Sequence, residues 1–122
     1  MKIEDVYKKI NKYRQIEEPQ EVYDLIWKID VDLFDKLFSN AIDYECKKPD
    51  KYVYGNDDDQ IVLVEDKYDD LYMYYVFAHY DLLYQDTESY SNNMILYNNT
   101  LKELSCEFRR NHRQKRNYEI KF

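Results

Sequence analysis

The sequence predicts a mainly α-helical protein, a helical bundle of about four helices with long antiparallel third and fourth helices in one domain over residues 1–122. One observation is an apolar and aromatic stripe from Tyr90 to Phe108, spaced by alternating steps of four and three residues. Another is the segment from Tyr68 to Tyr84, which is apolar nearly all round and typical of a buried helix. The third is the length of 122 residues, which suffices for one modest core.

Two helices are predicted in the first part of the chain. Residues 1–16 form a short amphipathic helix in this interpretation, because the apolar residues from Ile3 to Tyr13 share one face. A longer helix is predicted over residues 19–45. Pro19 suits a first helical position, and apolar residues recur at helical spacing from Val22 to Tyr44.

Residues 47–66 depart from the helical pattern. Two short runs with strand-like composition, Tyr52–Tyr54 and Ile61–Val64, flank a turn-like sequence that contains Gly55. A small β-hairpin and a protruding irregular loop fit this pattern equally well. Asp66 is predicted to cap the helix that follows.

The third helix is predicted over residues 67–85 and the fourth over residues 87–113. Between them, the polar residues Asp86 to Ser89 compete for backbone hydrogen bonds, which favours a tight corner and antiparallel packing. Residues 114–122 are predicted to form an extended tail, because positions from Tyr118 onward alternate between apolar and polar.

Composition and charge exclude several kinds of partner. The net charge of −7 argues against general affinity for nucleic acid. The chain also lacks the run of about 18 apolar residues that a membrane span needs, so we expect no membrane partner.

The sequence offers little for catalysis. With one glycine it cannot contain a phosphate-binding or dinucleotide-binding fingerprint, and its serines lack a glycine-flanked elbow. His79 and Asp81 are two residues apart and point to different faces of a helix. We therefore expect no enzyme activity, no catalytic residues and no cofactor.

An acidic loop is formed by Asp57, Asp58 and Asp59. The loop lacks the ligand spacing, the glycine and the later glutamate of a calcium-binding loop, so a solvated loop and no metal site are predicted. A hypothesis for its role is that it lines a DNA path and repels the duplex.

A basic run follows the fourth helix. It can match the negative end of the helix dipole or contact a partner. A molecule with an acidic middle loop and a basic end suits head-to-tail association of identical subunits. The predicted partner-interface residues are Arg109, Arg110, Arg113, Lys115, Arg116, Tyr118, Ile120 and Phe122.

The order of motifs over nearly the whole chain resembles a known group of proteins. Tyr23 to Leu37, with Trp27 and Ile29-Asp30, is similar to the WL-x-x-LD motif of that group's second helix. Tyr68-Asp69-Asp70-Leu71-Tyr72 is followed by Tyr80-Asp81, then Tyr90-Ser91-Asn92-Asn93, then an ending at Arg109-Arg110-Asn111-His112-Arg113. The chain is similar in these motifs to small helical proteins from the head-gene clusters of tailed bacteriophages and prophages of Firmicutes. That group commonly carries YDxLY, Ile-Asp, YNN and NRxH-like motifs. The second and third motifs depart from the group's pattern here.

This resemblance implies a head–tail connector, or adaptor, a structural virion protein at the head–tail junction that is assembled in the bacterial host cytoplasm. Its implied partners are further copies in a ring of about twelve subunits, the portal protein, and a tail or further connector protein. A passing contact with packaged DNA is also implied. Two alternatives stay open: a small acidic phage inhibitor that mimics DNA, of the anti-restriction or anti-CRISPR type, and a regulator that binds a host protein.

Overall fold

A computed structural model describes residues 1–42 and 44–112. Within these ranges the chain forms α1 (Ile3–Tyr13), α2 (Pro19–Lys36), α3 (Asp70–Leu83) and α4 (Thr87–Asn111). The mainly helical fold is therefore confirmed. The predicted tail at residues 114–122 lies outside the described residues.

The core lies between α1, α2 and the first part of α3. Ile3, Val6 and Ile10 of α1 are buried, as their shared face predicts. They pack with Ile26 of α2 and Leu71 of α3, both 0% exposed. Burial of each such side chain contributes about 1.5–3 kcal/mol to the free energy of unfolding.

Helix α2 ends at Lys36, well before the predicted end at residue 45. Side chains after it satisfy the last helical carbonyls: Ser39 Oγ donates to the Asp35 carbonyl at 3.2 Å, and Asn40 Nδ2 donates to the Lys36 carbonyl at 3.1 Å. A single 3-10 turn, Phe38–Asn40, follows. The apolar spacing continues past Lys36 because Phe38, in this 3-10 turn, and Ala41, just after it, are buried without being α-helical. The prediction that this helix extends to residue 45 was wrong for this reason.

Residues 44–65 form an irregular segment and not a β-hairpin. Within the described residues the β-pairing is an isolated antiparallel bridge between Lys2 and Ile61. Tyr52, Val62 and Val64 are at most 4% exposed, so both arms of this segment pack on the bundle. Apolar burial and not a strand ladder fixes the segment.

The third and fourth helices form an antiparallel hairpin, as predicted. The Tyr68 hydroxyl donates to the Glu107 carboxylate at 2.6 Å, near the ends remote from the corner. Halfway along, the rings of Tyr75 and Tyr97 have centroids 5.3 Å apart. Asn93 near the start of α4 reaches the end of α3, as described below. Successive residues of α3 thus contact residues of α4 with decreasing numbers, which shows that the two helices are antiparallel.

The corner of this hairpin also follows the prediction. Gln85 has a φ of 61°, a left-handed conformation that turns the chain sharply. The Asp86 carboxylate then accepts from the Ser89 backbone N–H at 3.1 Å and caps α4.

The stripe on α4 packs inward as its spacing predicts. Tyr97, Leu104 and Phe108 are buried, and the intervening stripe residues are half-buried. By contrast, the end of α3 is less buried than an all-round apolar helix predicts. Leu83 is 59% exposed and Tyr84, just beyond the helix, is 73% exposed.

Asp66 does not cap α3. It begins a 3-10 turn, Asp66–Tyr68, and Asp69 occupies the N-cap position of α3 without a side-chain cap hydrogen bond. The Asp66 carboxylate instead pairs with the Met1 amino group at 3.1 Å. The intervening 3-10 turn places Asp66 too far from the first free N–H groups of α3 to satisfy them.

Candidate functional site

A fully buried carboxylate joins α2, the irregular segment and α3. Asp30 is 0% exposed. It accepts hydrogen bonds from the Tyr52 hydroxyl at 2.6 Å and the Tyr72 hydroxyl at 2.5 Å, and from the Leu63 backbone N–H at 3.3 Å. Burial raises its pKa to about 6, against the hydrogen bonds, which lower it. This buried carboxylate therefore links α2, the irregular segment and α3 through its hydrogen bonds.

A second buried carboxylate ties α1 to the α3–α4 hairpin. Asp81 accepts from Arg14 Nη1 at 2.7 Å, Ser89 Oγ at 2.7 Å and Asn93 Nδ2 at 2.8 Å. Burial opposes ionisation here, but the hydrogen bonds from Ser89, Arg14 and Asn93 outweigh it and lower the pKa of Asp81. Two motifs of the resemblance, Tyr80-Asp81 and Asn92-Asn93, therefore meet in one hydrogen-bonded cluster.

The acidic loop is engaged mainly with its own chain. Asp57 accepts from the Val53 backbone N–H at 2.7 Å. Asp58 accepts from the Tyr23 hydroxyl at 2.8 Å and from the Gly55 N–H at 2.9 Å. Asp59 pairs with Lys2 at 3.2 Å. These carboxylates stabilise a turn, and they are poor candidates for an open acidic surface.

The basic end is described only in part. Arg109 and Arg110 are exposed in the last turn of α4, where positive charge suits the helix dipole. The other predicted partner-interface residues lie outside the described residues: Arg113, Lys115, Arg116, Tyr118, Ile120 and Phe122.

An acidic groove, which the sequence did not indicate, lies near the hairpin corner. Its volume is about 350 Å³, and the residues between α1 and α2 form one wall while the end of α3 forms the other. We define the corner groove by its lining residues: Arg14, Gln15, Ile16, Glu17, Glu18, Tyr80 and Tyr84.

The charge of the corner groove is negative. Arg14 is held by Asp81, whereas Glu17 and Glu18 are exposed and form no ion pair within 4.0 Å among the described residues. Tyr80 is 8% exposed, and burial together with the nearby Glu21 carboxylate raises its pKa. The groove thus presents two carboxylates beside tyrosine rings, a surface suited to cationic and aromatic groups.

The described residues contain no group of three or more histidine, cysteine, aspartate or glutamate side chains placed to hold a metal ion. None of the helices in those ranges is both long and apolar enough to cross a membrane. Cys46 and Cys106 are free.

Comparison of the chain with family models, with curated proteins and with solved structures found no match. The described residues form a helical bundle with a long antiparallel hairpin.

Proposed function

We propose that this chain is a head–tail connector subunit of a tailed bacteriophage. In this role it is a structural virion protein that forms a ring on the portal and joins the DNA-filled capsid to the tail. It has no catalytic residues and no cofactor. Its partners are further copies of itself, the portal, and a tail or further connector protein, with packaged DNA passing through the ring.

The observation that carries this proposal is where the motif residues of the resemblance lie. Tyr72 donates to Asp30 of α2, Asp69 accepts from Lys9 Nζ at 2.8 Å, and Asp81 accepts from Arg14 as well as from Asn93. These residues fix the α3–α4 hairpin to the rest of the bundle. Motifs of this kind specify a fold, so the support they give is a shared scaffold and not a shared active site.

The surface charge supports an assembly protein over a DNA mimic. A mimic needs an uninterrupted row of carboxylates, and the excess of 25 acidic over 18 basic residues is the observation that favours one. Lysines are interleaved with those acids, however. Lys8 pairs with Glu4 at 2.7 Å, and Lys36 pairs with Asp32 at 3.1 Å. Similar pairs involve Lys2, Lys48, Lys51 and Lys67.

Deletion of the gene from its phage or inducible prophage tests the proposal. The expected result is DNA-filled heads and complete but unattached tails in electron micrographs of the lysate, with joining restored by the gene supplied in trans. A deletion that leaves intact, infectious particles would overturn the connector role. If the only defect is sensitivity to a host restriction or CRISPR system, the acidic inhibitor that mimics DNA is the better account of the function.

A further inference from the structure

The corner groove, with a volume of about 350 Å³, is the surface feature whose chemistry points to one ligand. Its two exposed carboxylates, Glu17 and Glu18, are open to cations of a ligand, because the groove's own arginine is already paired with Asp81. Tyr80 lines the groove, and its hydroxyl interacts with the carboxylate of Glu21, a third acidic residue beside Glu17 and Glu18.

An apolar surface continues from the groove. Leu83 lies one helical turn beyond Tyr80 and is 59% exposed, and Tyr84 in the groove wall is 73% exposed. Large apolar side chains exposed side by side next to a groove are typical of contact surfaces. The ligand should therefore carry apolar side chains as well as cations.

Residues 113–122 of the same sequence have this composition. They contain four basic residues, Arg113, Lys115, Arg116 and Lys121, and one acidic residue, Glu119. Tyr118, Ile120 and Phe122 supply apolar groups at alternate positions. The charge of this segment and its apolar content both complement the corner groove.

The basic residues of the segment cannot reach the groove of their own chain. Asn93, which bonds to Asp81 beside the groove, lies 18 positions before the end of α4 at Asn111, a distance of about 27 Å along the helix. Even when fully extended, the chain from Asn111 to Arg116 spans at most about 18 Å. The same residues of a neighbouring copy meet no such limit.

We propose that residues 113–122 of one copy bind the corner groove of the next. Arg113, Lys115 and Arg116 pair with Glu17 and Glu18, and the alternating apolar residues cover Leu83 and Tyr84. The contact uses different surfaces on the two copies, so it is heterologous and generates a ring when its rotation closes. This inference deepens the proposed connector function by naming the contact between subunits.

Charge reversal in the full-length protein tests the proposal. Sedimentation equilibrium at several protein concentrations would compare the wild type with the double variant Glu17→Lys/Glu18→Lys. A matched control is Glu45→Lys/Glu103→Lys, which makes the same change in net charge at exposed positions away from the groove. We expect the groove variant to raise the dissociation constant of self-association at least tenfold, and the control to change it less than threefold.

A charge swap makes the test specific. Arg113→Glu/Arg116→Glu should weaken association as the groove variant does, and combining both sets of changes in one chain should restore it. A synthetic peptide of residues 113–122 should lower the mass of the wild-type assembly. The proposal is overturned if the wild type stays monomeric at millimolar concentration, if groove and control variants behave alike, or if the swap fails to restore association.

The outcomes also separate this inference from the connector role. A protein that associates through another surface, yet is required to join heads to tails, would refute the groove contact alone. A groove-mediated assembly in a protein that the phage particle does not need would refute the connector role alone.

Discussion

Replacement of Asp30 by asparagine should remove a pH dependence that the buried carboxylate imposes on stability. The pKa of Asp30 is raised from 3.8 to about 6 in the folded protein, mainly by burial. Because the folded state holds this proton more tightly than the unfolded state, the carboxyl contributes its full stability below pH 3.8. That contribution is lost as the pH rises through about 6.

The magnitude follows from the shift in pKa. A difference of about two pKa units corresponds to about 3 kcal/mol of unfolding free energy in total. About 2 kcal/mol of this falls between pH 4 and pH 7.5, because the carboxyl of the unfolded state is already more than half ionised at pH 4. In Asp30→Asn this cost of ionisation is absent. The variant loses some hydrogen-bond quality toward Tyr52 and Tyr72, about 1 kcal/mol, at every pH.

Urea unfolding of the wild type and of Asp30→Asn between pH 4 and pH 7.5 measures the effect. The difference in unfolding free energy between the two proteins should shift by about 2 kcal/mol toward the variant as the pH rises. Comparison at each pH cancels the contributions of other groups, including Asp81, whose lowered pKa acts in the opposite direction. A constant difference across this range would refute the assignment of Asp30 as a carboxylate whose burial outweighs its hydrogen bonds.

Three further predictions concern the hairpin. Arg14→Ala should lower the unfolding free energy by about 1–3 kcal/mol, because it leaves the Asp81 carboxylate, 4% exposed, without its cation. The variant should also lose less stability on acidification than the wild type does. Arg109→Ala is the exposed control in the same urea titrations. Asp86→Ala should cost about 1 kcal/mol by removing the α4 cap, seen as a lower midpoint in thermal unfolding, and no change would contradict the cap. Leu71→Ala should lower the unfolding free energy by about 2–5 kcal/mol, and Leu83→Ala should lower it by less than about 0.5 kcal/mol. Leu83→Ala should nevertheless weaken self-association. Equal losses of stability in the two variants would contradict the burial described.

Local periodicity predicts the parts of this fold that depend on one face of one helix. The α4 stripe and the corner at Asp86 are examples, since spacing and capping chemistry act over a few residues. The same signal fails at the end of α2, because Phe38 and Ala41 are buried by tertiary packing without being α-helical. The spacing of apolar residues indicates which side chains are buried, but it does not establish that their backbone is α-helical.

The candidate site depends on contacts between distant parts of the chain. Asp30 and Asp81 look like ordinary surface residues of amphipathic helices until Tyr72 and Arg14 are brought to them. The corner groove likewise exists only because the connection after α1 packs beside the end of α3. Neither arrangement leaves a local pattern. The contact role of the basic, apolar end segment stays a prediction, and the acidic groove that we propose as its counterpart lies in a different part of the chain from the acidic loop.

The copy number of this protein in purified, DNA-filled virions tests the connector role most directly. Quantitative mass spectrometry would measure it beside the portal and the major capsid protein from the same particles. We predict a copy number equal to that of the portal, or a small multiple of it, as a ring on the portal requires. Absence from the particles, in cells where the protein is abundant during infection, would contradict the account.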